Sequence, residues 1–274
     1  MGNSTSELSK TSGAAPATVA LVTGASSGIG AAFARLLAAR GKHLVLVARS
    51  KDKLDALARE IASQHSRRVE VIDQDLSTPG AAERVATFLN DRAITVDLLV
   101  NNAGFGAQGE FWRVPLDRQL EMIRLNIVAL TELTYKFLPA MVERRGGSII
   151  NVSSTAGLQP VPYTSVYAAT KAYVTSFSMG LAEEVSRYGV RVLALCPGGT
   201  ATNFFDASRF SKRDFAGGLQ SPDDVVKAAL RALDAGRSFA ITRFLDRLMD
   251  LGERVSPRRF VARQAGEMFR PKGL

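Results

Sequence analysis

The sequence predicts one α/β domain with a doubly wound, seven-stranded parallel sheet and helices on both of its faces. Short apolar segments alternate along the chain with longer segments of helical periodicity, which is the order that right-handed βαβ units produce. The apolar segments lack polar alternation, as expected for strands that are buried on both faces. The length of 274 residues suits one domain of this class, and the sequence contains neither an internal repeat nor an interdomain linker.

The predicted elements alternate from strand to helix along the chain. The predicted strands lie at residues 18–23, 43–48, 69–73, 96–101, 148–153, 190–196 and 238–242. The predicted helices lie at residues 28–40, 52–64, 79–91, 117–145, 165–188 and 222–235. Gly41, Gly146 and Gly189 follow three of these helices, at the position where glycine commonly ends a helix.

A long loop at residues 197–221 follows the sixth predicted strand. Loops longer than ~12–15 residues are uncommon unless they bind a ligand or cover a site. This loop contains Phe204, Phe205, Phe210 and Phe215. We therefore predict a lid over an apolar substrate, with some of these rings serving only to anchor the loop.

The composition narrows the classes of function. Lys and Arg total 35 against 26 Asp and Glu, a net charge of +9, so nucleic-acid binding has to be weighed. The basic residues are scattered rather than packed in a dense stripe, and we expect no nucleic-acid partner. The single cysteine, Cys196, cannot form an internal disulfide, which favours a reducing, cytoplasmic setting. His43 and His65 do not combine with Cys196 into a ligand pattern, so we predict no metal.

Residues 1–17 are predicted to be a disordered leader. They are rich in Ser, Thr, Ala and Gly and lack the apolar core of a signal peptide. They begin Met-Gly-Asn-Ser-Thr-Ser, which fits the degenerate myristoylation pattern with Gly2 as acceptor, but coincidence in a polar segment is the favoured explanation. No apolar run approaches the ~20 residues that cross a bilayer.

Residues 244–274 are predicted to form a basic, amphipathic C-terminal extension. From Arg237 to the end the chain has nine basic and four acidic residues, interspersed with Phe, Leu, Met and Val. Apolar residues at helical spacing usually pack on a core, so the favoured interpretation is a cover for the end of the domain. The alternative is weak contact with an anionic membrane surface or with a partner subunit, which leaves a cytoplasmic or peripheral-membrane location open.

The turn after the first predicted strand has the composition of a phosphate-binding loop. It reads Gly24-Ala25-Ser26-Ser27-Gly28-Ile29-Gly30 and leads into a predicted helix. Glycines permit the tight turn and let the backbone approach a pyrophosphate, whose charge the N–H groups at the helix N-terminus can bind.

Arg49 decides between the two nicotinamide cofactors. The second predicted strand ends Val47-Ala48-Arg49, where an acidic residue would favour NAD and an arginine favours the 2′-phosphate of NADP. Asp52 is the alternative ribose ligand, but its place at a helix start is better explained by the helix dipole. We predict NADP.

Tyr167 and Lys171 are the predicted acid/base pair. They lie four residues apart on a predicted helix, so their side chains share one face, and an ammonium group near a phenol lowers the phenol pKa. Ser154 or its neighbour Ser153, at the end of the fifth predicted strand, can bind a carbonyl or alkoxide oxygen. Asn126 interrupts an apolar stretch of the helix at residues 117–145.

Taken in chain order, these motifs resemble the short-chain dehydrogenase/reductase family across residues 19–202. The motifs are Thr23-Gly24-x3-Gly28-Ile29-Gly30, Asp75-Leu76, Asn101-Asn102-Ala103-Gly104, Asn126, Ser154, Tyr167-x3-Lys171 and Pro197-Gly198. The resemblance implies a Rossmann-type catalytic domain at residues 18–243, and its spacing selects Ser154 over Ser153. It also implies a homo-oligomer, a dimer or tetramer, although the C-terminal extension departs from shorter members and could cover an interface.

The resemblance also assigns roles to residues around the cofactor. Asp75 and Leu76 would lie at the adenine, and Asn102-Ala103-Gly104 would pass beside the adenine ribose. Pro197, Gly198 and Thr202 would border the nicotinamide, together with Tyr167 and Lys171. Asn126 would hold a water that connects Lys171 to bulk solvent.

The substrate is predicted to be a small molecule with a hydrophobic carbonyl or secondary alcohol. The residues expected near Ser154 and Tyr167 are Phe105, Gln108, Leu158 and Tyr163, with the aromatic loop. Alternatives are an NAD-dependent dehydrogenase of the same fold, a non-catalytic NADP-binding sensor, and a peripheral membrane protein.

Overall fold

The computed structural model describes residues 18–204 and 218–271. The predicted leader with Gly2, and Phe205, Phe210 and Phe215 of the predicted lid, lie outside the described residues.

One seven-stranded sheet forms the centre of the protein, as predicted. All strand pairs are parallel and the order is β3-β2-β1-β4-β5-β6-β7. The strands are β1 (Val19–Thr23), β2 (His43–Ala48), β3 (Val69–Asp73), β4 (Leu98–Asn101), β5 (Gly147–Val152), β6 (Val190–Cys196) and β7 (Phe239–Ile241). The central strands are buried almost throughout, which explains why their sequences do not alternate.

Helices cover both faces of the sheet. One buried cluster joins the sheet to α1, α2 and α7, and the other joins it to α3, α5 and α6. The helices are α1 (Gly28–Ala39), α2 (Lys51–His65), α3 (Ala81–Asn90), α4 (Leu116–Ile123), α5 (Leu130–Glu143), α6 (Ser165–Ser186), α7 (Pro222–Asp234), α8 (Phe244–Val255) and α9 (Arg258–Phe269).

The continuous helix predicted at residues 117–145 is interrupted by a π-helical segment. Arg124–Ala129 adopts π geometry between α4 and α5. Buried Asn126 lies in this segment, and its amide nitrogen donates to the carbonyl of Phe105 at 3.0 Å and to the hydroxyl of Thr170 at 3.0 Å. The wider turn therefore coincides with a polar side chain that is bonded to two other parts of the fold. Such π segments are frequent at functional sites.

The hydroxyl of Thr23 joins the end of β1 to the turn after β4. It accepts the backbone N–H groups of Asn102 and Ala103, each at 3.0 Å, and donates to the carbonyl of Val100 at 3.3 Å. Asn102 returns a bond from its side-chain amide to the carbonyl of Thr23 at 2.9 Å. Because β1 lies between β2 and β4, these bonds hold the point at which the strand order reverses.

The predicted C-terminal extension folds as α8 and α9. The apolar side chains Phe244, Leu248 and Val255 of α8 are exposed, whereas Asp246 and Glu253 on its opposite side are half-buried. In α9, Val261 and Ala265 are buried against the domain. Within residues 18–204 and 218–271, no helix has the length and apolar character of a membrane span.

We predict that Thr23→Val lowers the free energy of unfolding by about 1–3 kcal/mol. Valine has nearly the same shape but leaves the Ala103 N–H without an acceptor, whereas the Asn102 N–H keeps the Val100 carbonyl at 3.1 Å. One buried unsatisfied group costs about 1–3 kcal/mol. Urea denaturation measures the loss. Exposed Thr18, whose hydroxyl accepts a bond from Lys42, provides the control: Thr18→Val should change stability by less than about 0.5 kcal/mol. Equal losses in both variants would contradict the role of the Thr23 hydroxyl.

Candidate active site

A cavity of about 410 Å³ opens at the carboxyl ends of the strands, where the strand order reverses. This edge is where open α/β sheets bind ligands. The cavity extends from the end of β2, past the turn after β1 and the segment after β4, to the segment after β5, the start of α6 and the segment after β6.

The glycine-rich turn after β1 places backbone atoms that carry no side chain at the cavity. Gly24 and Gly28 have φ angles of 63° and 55°, in the left-handed region that favours glycine. A Cβ on Gly24 would lie 2.9 Å from the Cα of Ala103, and one on Gly28 would lie 2.9 Å from a Thr202 methyl carbon. Ser26, Ser27 and Ile29 also line the cavity, and α1 begins at Gly28, so the N-terminus of α1 opens onto the cavity. Helix N-termini favour anions.

Gly30 has a packing role rather than a contact with the cavity. It is absent from the part of the lining that the structure describes. A Cβ at this position would lie 2.3 Å from the Gly24 carbonyl oxygen and 2.6 Å from the amide nitrogen of Asn102. The third glycine of the motif therefore lets α1 approach the turn.

Arg49 lies at the β2 end of the cavity beside two carboxylates. Its guanidinium is 3.7 Å from Asp75 and 3.5 Å from Glu121, and its side chain is 60% exposed. Burial alone would raise the pKa of Asp75. Hydrogen bonds from Ser77 and the charge of Arg49 outweigh burial, so the pKa of Asp75 is lowered overall. At neutral pH, Arg49 therefore lies beside an ionised carboxylate. The attraction holds the guanidinium and its N–H donors at the edge of the cavity. Leu76 lines the cavity beside Asp75.

Ser154, Tyr167 and Lys171 meet at the other end of the cavity. The Ser154 hydroxyl is hydrogen-bonded to the phenol of Tyr167, and the Nζ of Lys171 lies 5.9 Å from the Tyr167 ring centroid. Lys171 donates to the carbonyl of Val152 at 2.8 Å, which ties its ammonium to the end of β5. The sheet end and one face of α6 thus assemble the predicted hydroxyl, phenol and amine.

The neighbouring Ser153 has a different set of partners. Its hydroxyl donates to the carbonyl of Lys171 at 2.7 Å and lies 2.7 Å from the hydroxyl of Thr175, so it packs β5 against α6. Gly157 permits the same contact, because a Cβ there would lie 2.5 Å from the carbonyl carbon of Lys171. This geometry leaves Ser154, rather than Ser153, directed at Tyr167.

Burial changes the pKa values of both titratable groups. It raises the pKa of Tyr167 to about 12, despite the lowering effect of the Ser154 hydrogen bond. Burial also lowers the pKa of Lys171 to about 8. The sequence led us to expect Lys171 to lower the phenol pKa, but in the protein alone desolvation is the larger effect. Tyr167 is therefore a neutral phenol at pH 7.

Asn126 lies beneath the cavity rather than on its described lining. Its Oδ1 accepts the backbone N–H of Phe105 at 3.2 Å, in addition to the two bonds that its amide nitrogen donates. A Cβ on Gly104 would lie 2.9 Å from this oxygen and 3.4 Å from the Nζ of Lys171, so glycine is needed between them. In the structure, the Asn126 side chain holds the backbone of Gly104 and Phe105 in place.

The predicted substrate residues Leu158 and Tyr163 do not belong to the lining, as far as the structure describes it. Thr155–Gly157 forms a 3-10 turn, and the next residues that line the cavity are Gln159 and Val161. Tyr163 has a φ of 63°, and its carbonyl accepts the N–H of Gly109 at 2.8 Å. That backbone reversal brings the following Thr164 to the lining instead.

The aromatic wall near Tyr167 was only partly predicted. Phe105 and Phe204 line the cavity, and the Phe204 and Tyr167 ring centroids are 5.5 Å apart. Phe269, at the end of α9, also lines the cavity and belongs to the same apolar cluster. Sequence reasoning missed Phe269 because its pattern indicated only a helix that packs on the domain.

The other residues that the motifs predict to contact the cofactor also line the cavity. Asn102, Ala103 and Gly104 line the cavity after β4, and Pro197, Gly198 and Thr202 line it after β6.

Cys196 is buried in β6, and burial raises the pKa of its thiol. Among the described residues, no group of three His, Cys, Asp or Glu side chains is arranged to hold a metal ion.

A doubly wound sheet with a glycine turn at its reversal point, and a Ser–Tyr–Lys set beside it, defines an oxidoreductase that uses a nicotinamide cofactor on carbonyl or alcohol groups. Comparison with known proteins agrees with this class. The chain belongs to the short-chain dehydrogenase/reductase family, since residues 18–212 match the family model described as short chain dehydrogenase.

Individual relatives cover most of the chain. A very-long-chain 3-oxoacyl-CoA reductase from Anas platyrhynchos is 38% identical over 219 residues, which are 77% of this chain and 67% of the relative. A short-chain dehydrogenase from Sphingobium yanoikuyae, solved in complex with NADPH, is 33% identical with a TM-score of 0.79, covering 94% of this chain and 98% of that one. The bulky-bulky ketone specific alcohol dehydrogenase from Comamonas testosteroni is 30% identical with a TM-score of 0.75, covering 94% and 96%.

We predict that Tyr167 does not ionise in the cofactor-free protein as the pH passes ~10, the ordinary value for tyrosine. Burial that raises its pKa to about 12 gives the phenolate too little solvation at that pH. The measurement is a tyrosinate absorbance titration of the wild type minus Tyr167→Phe. The same difference for Tyr135→Phe supplies the reference from an exposed tyrosine. A tyrosinate signal assigned to Tyr167 below pH ~9 would show that Lys171 outweighs burial.

Proposed function

We propose that the protein is an NADP(H)-dependent reductase of hydrophobic carbonyl compounds, with Tyr167 as the proton donor. The observation that carries this proposal is the neutral, buried phenol of Tyr167, hydrogen-bonded to Ser154 at the end of a cavity walled by aromatic and aliphatic side chains. A phenol that is protonated at neutral pH is suited to donate to an alkoxide, which is the proton step of reduction.

The residues around the cavity fit a nicotinamide dinucleotide. Gly24 and Gly28 leave backbone space that a side chain would fill, and the N-terminus of α1 opens onto the same place. Asp75 and Leu76 would hold the adenine, Asn102–Gly104 the adjoining ribose, and Pro197, Gly198 and Thr202 the nicotinamide. When bound, the cofactor supplies the hydride.

Arg49 supports NADP rather than NAD. Its guanidinium lines the cavity at the end of β2, and its two acidic partners are more than 3 Å away, so a phosphate could compete for its donors. Arginine binds phosphate through two parallel N–H donors. NAD use remains the alternative, since Asp75 lies beside Arg49 and offers an acceptor for a ribose hydroxyl.

The chain's own residues divide the proton chemistry between them. Ser154 and Tyr167 would both donate to the carbonyl oxygen, and Tyr167 would transfer its proton as that oxygen gains charge. Lys171, with a pKa of about 8, is mostly charged at pH 7 and stabilises the resulting phenolate. Asn126 holds the Gly104–Phe105 backbone against Lys171 and keeps this arrangement in place. An intact Ser–Tyr–Lys set argues against a non-catalytic sensor.

The substrate is proposed to carry its carbonyl on an apolar body. Phe105, Val161, Phe204 and Phe269 form the wall beyond Tyr167. Among relatives, the name of one reductase specifies very-long-chain 3-oxoacyl-CoA, and that of one alcohol dehydrogenase specifies bulky-bulky ketones. We therefore propose long-chain 3-oxoacyl thioesters or bulky ketones.

Two partner surfaces accompany this proposal. Tyr135 of α5 and Tyr173 of α6 are exposed, and the Tyr173 hydroxyl lies 3.0 Å from that of Thr131, one helical turn before Tyr135. These neighbouring rings suit contact with a second copy of the chain, and sedimentation equilibrium would test for the dimer. The exposed apolar side of α8, with exposed Arg247 and Arg258 nearby, suits weak contact with an anionic membrane surface. Flotation with anionic but not neutral vesicles would test that contact, and absence of flotation would contradict it.

We predict that Arg49→Ala weakens NADPH binding by roughly 10–100-fold and changes NADH binding less than threefold. Losing charge-assisted hydrogen bonds to the 2′-phosphate removes about 1.5–3 kcal/mol, and each 1.4 kcal/mol is tenfold in affinity. Titration of cofactor fluorescence measures both affinities. Lys53→Ala, an exposed charge on α2 away from the cavity, is the matched control and should leave both unchanged. Equal or tighter NADH binding by the wild type would make the NADP assignment wrong.

We predict that the wild type reduces long-chain 3-oxoacyl thioesters or bulky ketones with NADPH at least tenfold more efficiently than small polar sugars. The apolar wall accounts for this preference, since each methylene is worth roughly 10–200-fold in a hydrophobic pocket. The measurement is kcat/KM across the panel. Tyr167→Phe should lose at least 10²-fold in kcat because it removes the general acid, while NADPH affinity is retained. Preference for the sugars, or full activity of Tyr167→Phe, would contradict the proposal.

A further inference from the structure

The end of α9 is part of the substrate cavity, although it lies far along the chain from the catalytic residues. Phe269, the last residue of α9, lines the cavity and packs in one apolar cluster with Phe105 and Tyr167. It also contacts a second small cluster formed by Val161, Ala168 and Ala265. The C-terminal extension therefore forms part of the cavity wall.

Few contacts hold this part of α9 in place. Val261, Ala265 and Gly266 are its buried residues. A Cβ on Gly266 would lie 3.3 Å from a ring carbon of Pro162, so the helix backbone rests closely on the segment that precedes α6. The remaining face of α9 is exposed, and such a small apolar contact leaves the position of its last turn dependent on polar bonds.

A side-chain hydrogen bond caps the C-terminal end of α9 beside the cavity. The carbonyls of the last helical turn have no partner within a helix, and the side-chain amide of Gln108 donates to the Phe269 carbonyl at 2.8 Å. Gln108 belongs to the segment that follows β4. The next residue, Gly109, donates its N–H to the carbonyl of Tyr163 at 2.8 Å, so the segment is fixed at this point. Gln108 therefore connects a fixed part of the domain to the last turn of α9.

We propose that α9 is the size-selecting wall of the substrate cavity, with Phe269 as a specificity-determining residue and Gln108 as the residue that positions it. This inference rests on the proposed carbonyl reductase function and names what limits its substrates. The Phe269 ring restricts the width of the apolar body that can lie beside Tyr167. The hydrogen bond from Gln108 holds the Phe269 ring in this position. The width of substrate that fits therefore depends on both residues.

The first test replaces Phe269 and uses a matched phenylalanine on the same helix. Phe269→Ala should raise the kcat/KM ratio of a ketone with bulky groups on both sides over an unbranched methyl ketone by about tenfold or more. Phe260→Ala removes an exposed ring from α9 that is absent from the described lining, and should leave the ratio unchanged. Equal shifts in the two variants, or no shift in either, would overturn the proposal.

The second test removes the bond from Gln108. Gln108→Glu keeps the size of the side chain but replaces the N–H donor with an acceptor facing a carbonyl. We expect KM for the bulky ketone to change at least fivefold while kcat stays within twofold, because the bond acts on substrate fit and not on the proton step. Amide hydrogen exchange at residues 265–269 should become at least tenfold faster. Gln264→Glu, at an exposed glutamine on α9, should change neither quantity and is the matched control for Gln108→Glu.

Calorimetric binding of the same ketones separates this inference from the proposed function. If the wild type binds ketones without reducing them, the reductase function is wrong, while a width preference that Phe269→Ala abolishes still supports the wall. If the wild type reduces the ketones but neither Phe269→Ala nor Gln108→Glu alters the width preference, the reductase stands and the wall is wrong. Unchanged exchange at residues 265–269 in Gln108→Glu also overturns the role of Gln108.

Discussion

The backbone of the turn after β1 touches the backbone of the segment after β4, and much of the site depends on that contact. A side chain at Gly24 would collide with Ala103, and one at Gly30 would collide with the Gly24 carbonyl. Thr23 and Asn102 then hold the two segments together through reciprocal hydrogen bonds. With the two segments this close, the cavity opens directly over the strand reversal and the N-terminus of α1 faces it. The glycines thus set the shape of this end of the cavity, and Gly24 and Gly28 also line it.

The end of the cavity near Tyr167 also depends on glycines that permit close backbone contacts. Gly157 lets the segment after β5 reach α6, and Gly104 leaves room for the Asn126 amide and the Lys171 ammonium. Buried polar side chains then fix the position of α6. Asn101 donates to Asn151 at 2.9 Å, and Asn151 donates to Ser178 at 2.9 Å, linking β4, β5 and α6 across the core. These buried bonds specify one alignment of helix and sheet, because a shifted alignment would break them and leave more polar groups unpaired.

The sequence predicts those features that depend on local patterns. Apolar runs predict the seven strands, because burial on both faces leaves no room for polar residues. The spacing of Tyr167 and Lys171 predicts one shared face of α6, because helix geometry brings residues four apart together. The π-helical segment around Asn126 could not be predicted, since it accompanies bonds to Phe105 and Thr170, which are distant in sequence. Phe269 was missed for the same reason: its place in the cavity depends on how α9 packs, which helical periodicity does not encode.

In the proposed reductase, burial gives Tyr167 and Lys171 a preference for one direction of the reaction. Excluding water from Tyr167 makes its phenolate costly, so the free site holds a proton on that oxygen up to a pKa of about 12. The same burial lowers the pKa of Lys171 to about 8, so its charge is present at pH 7 and lost as the pH rises above that value. A site with a protonated phenol and a charged amine is ready to give a proton to an alkoxide. The reverse reaction begins from the phenolate, the form that this environment disfavours. Raising the pH would therefore help the oxidation of an alcohol only while Lys171 keeps its charge, since the Tyr167 phenolate needs that ammonium beside it.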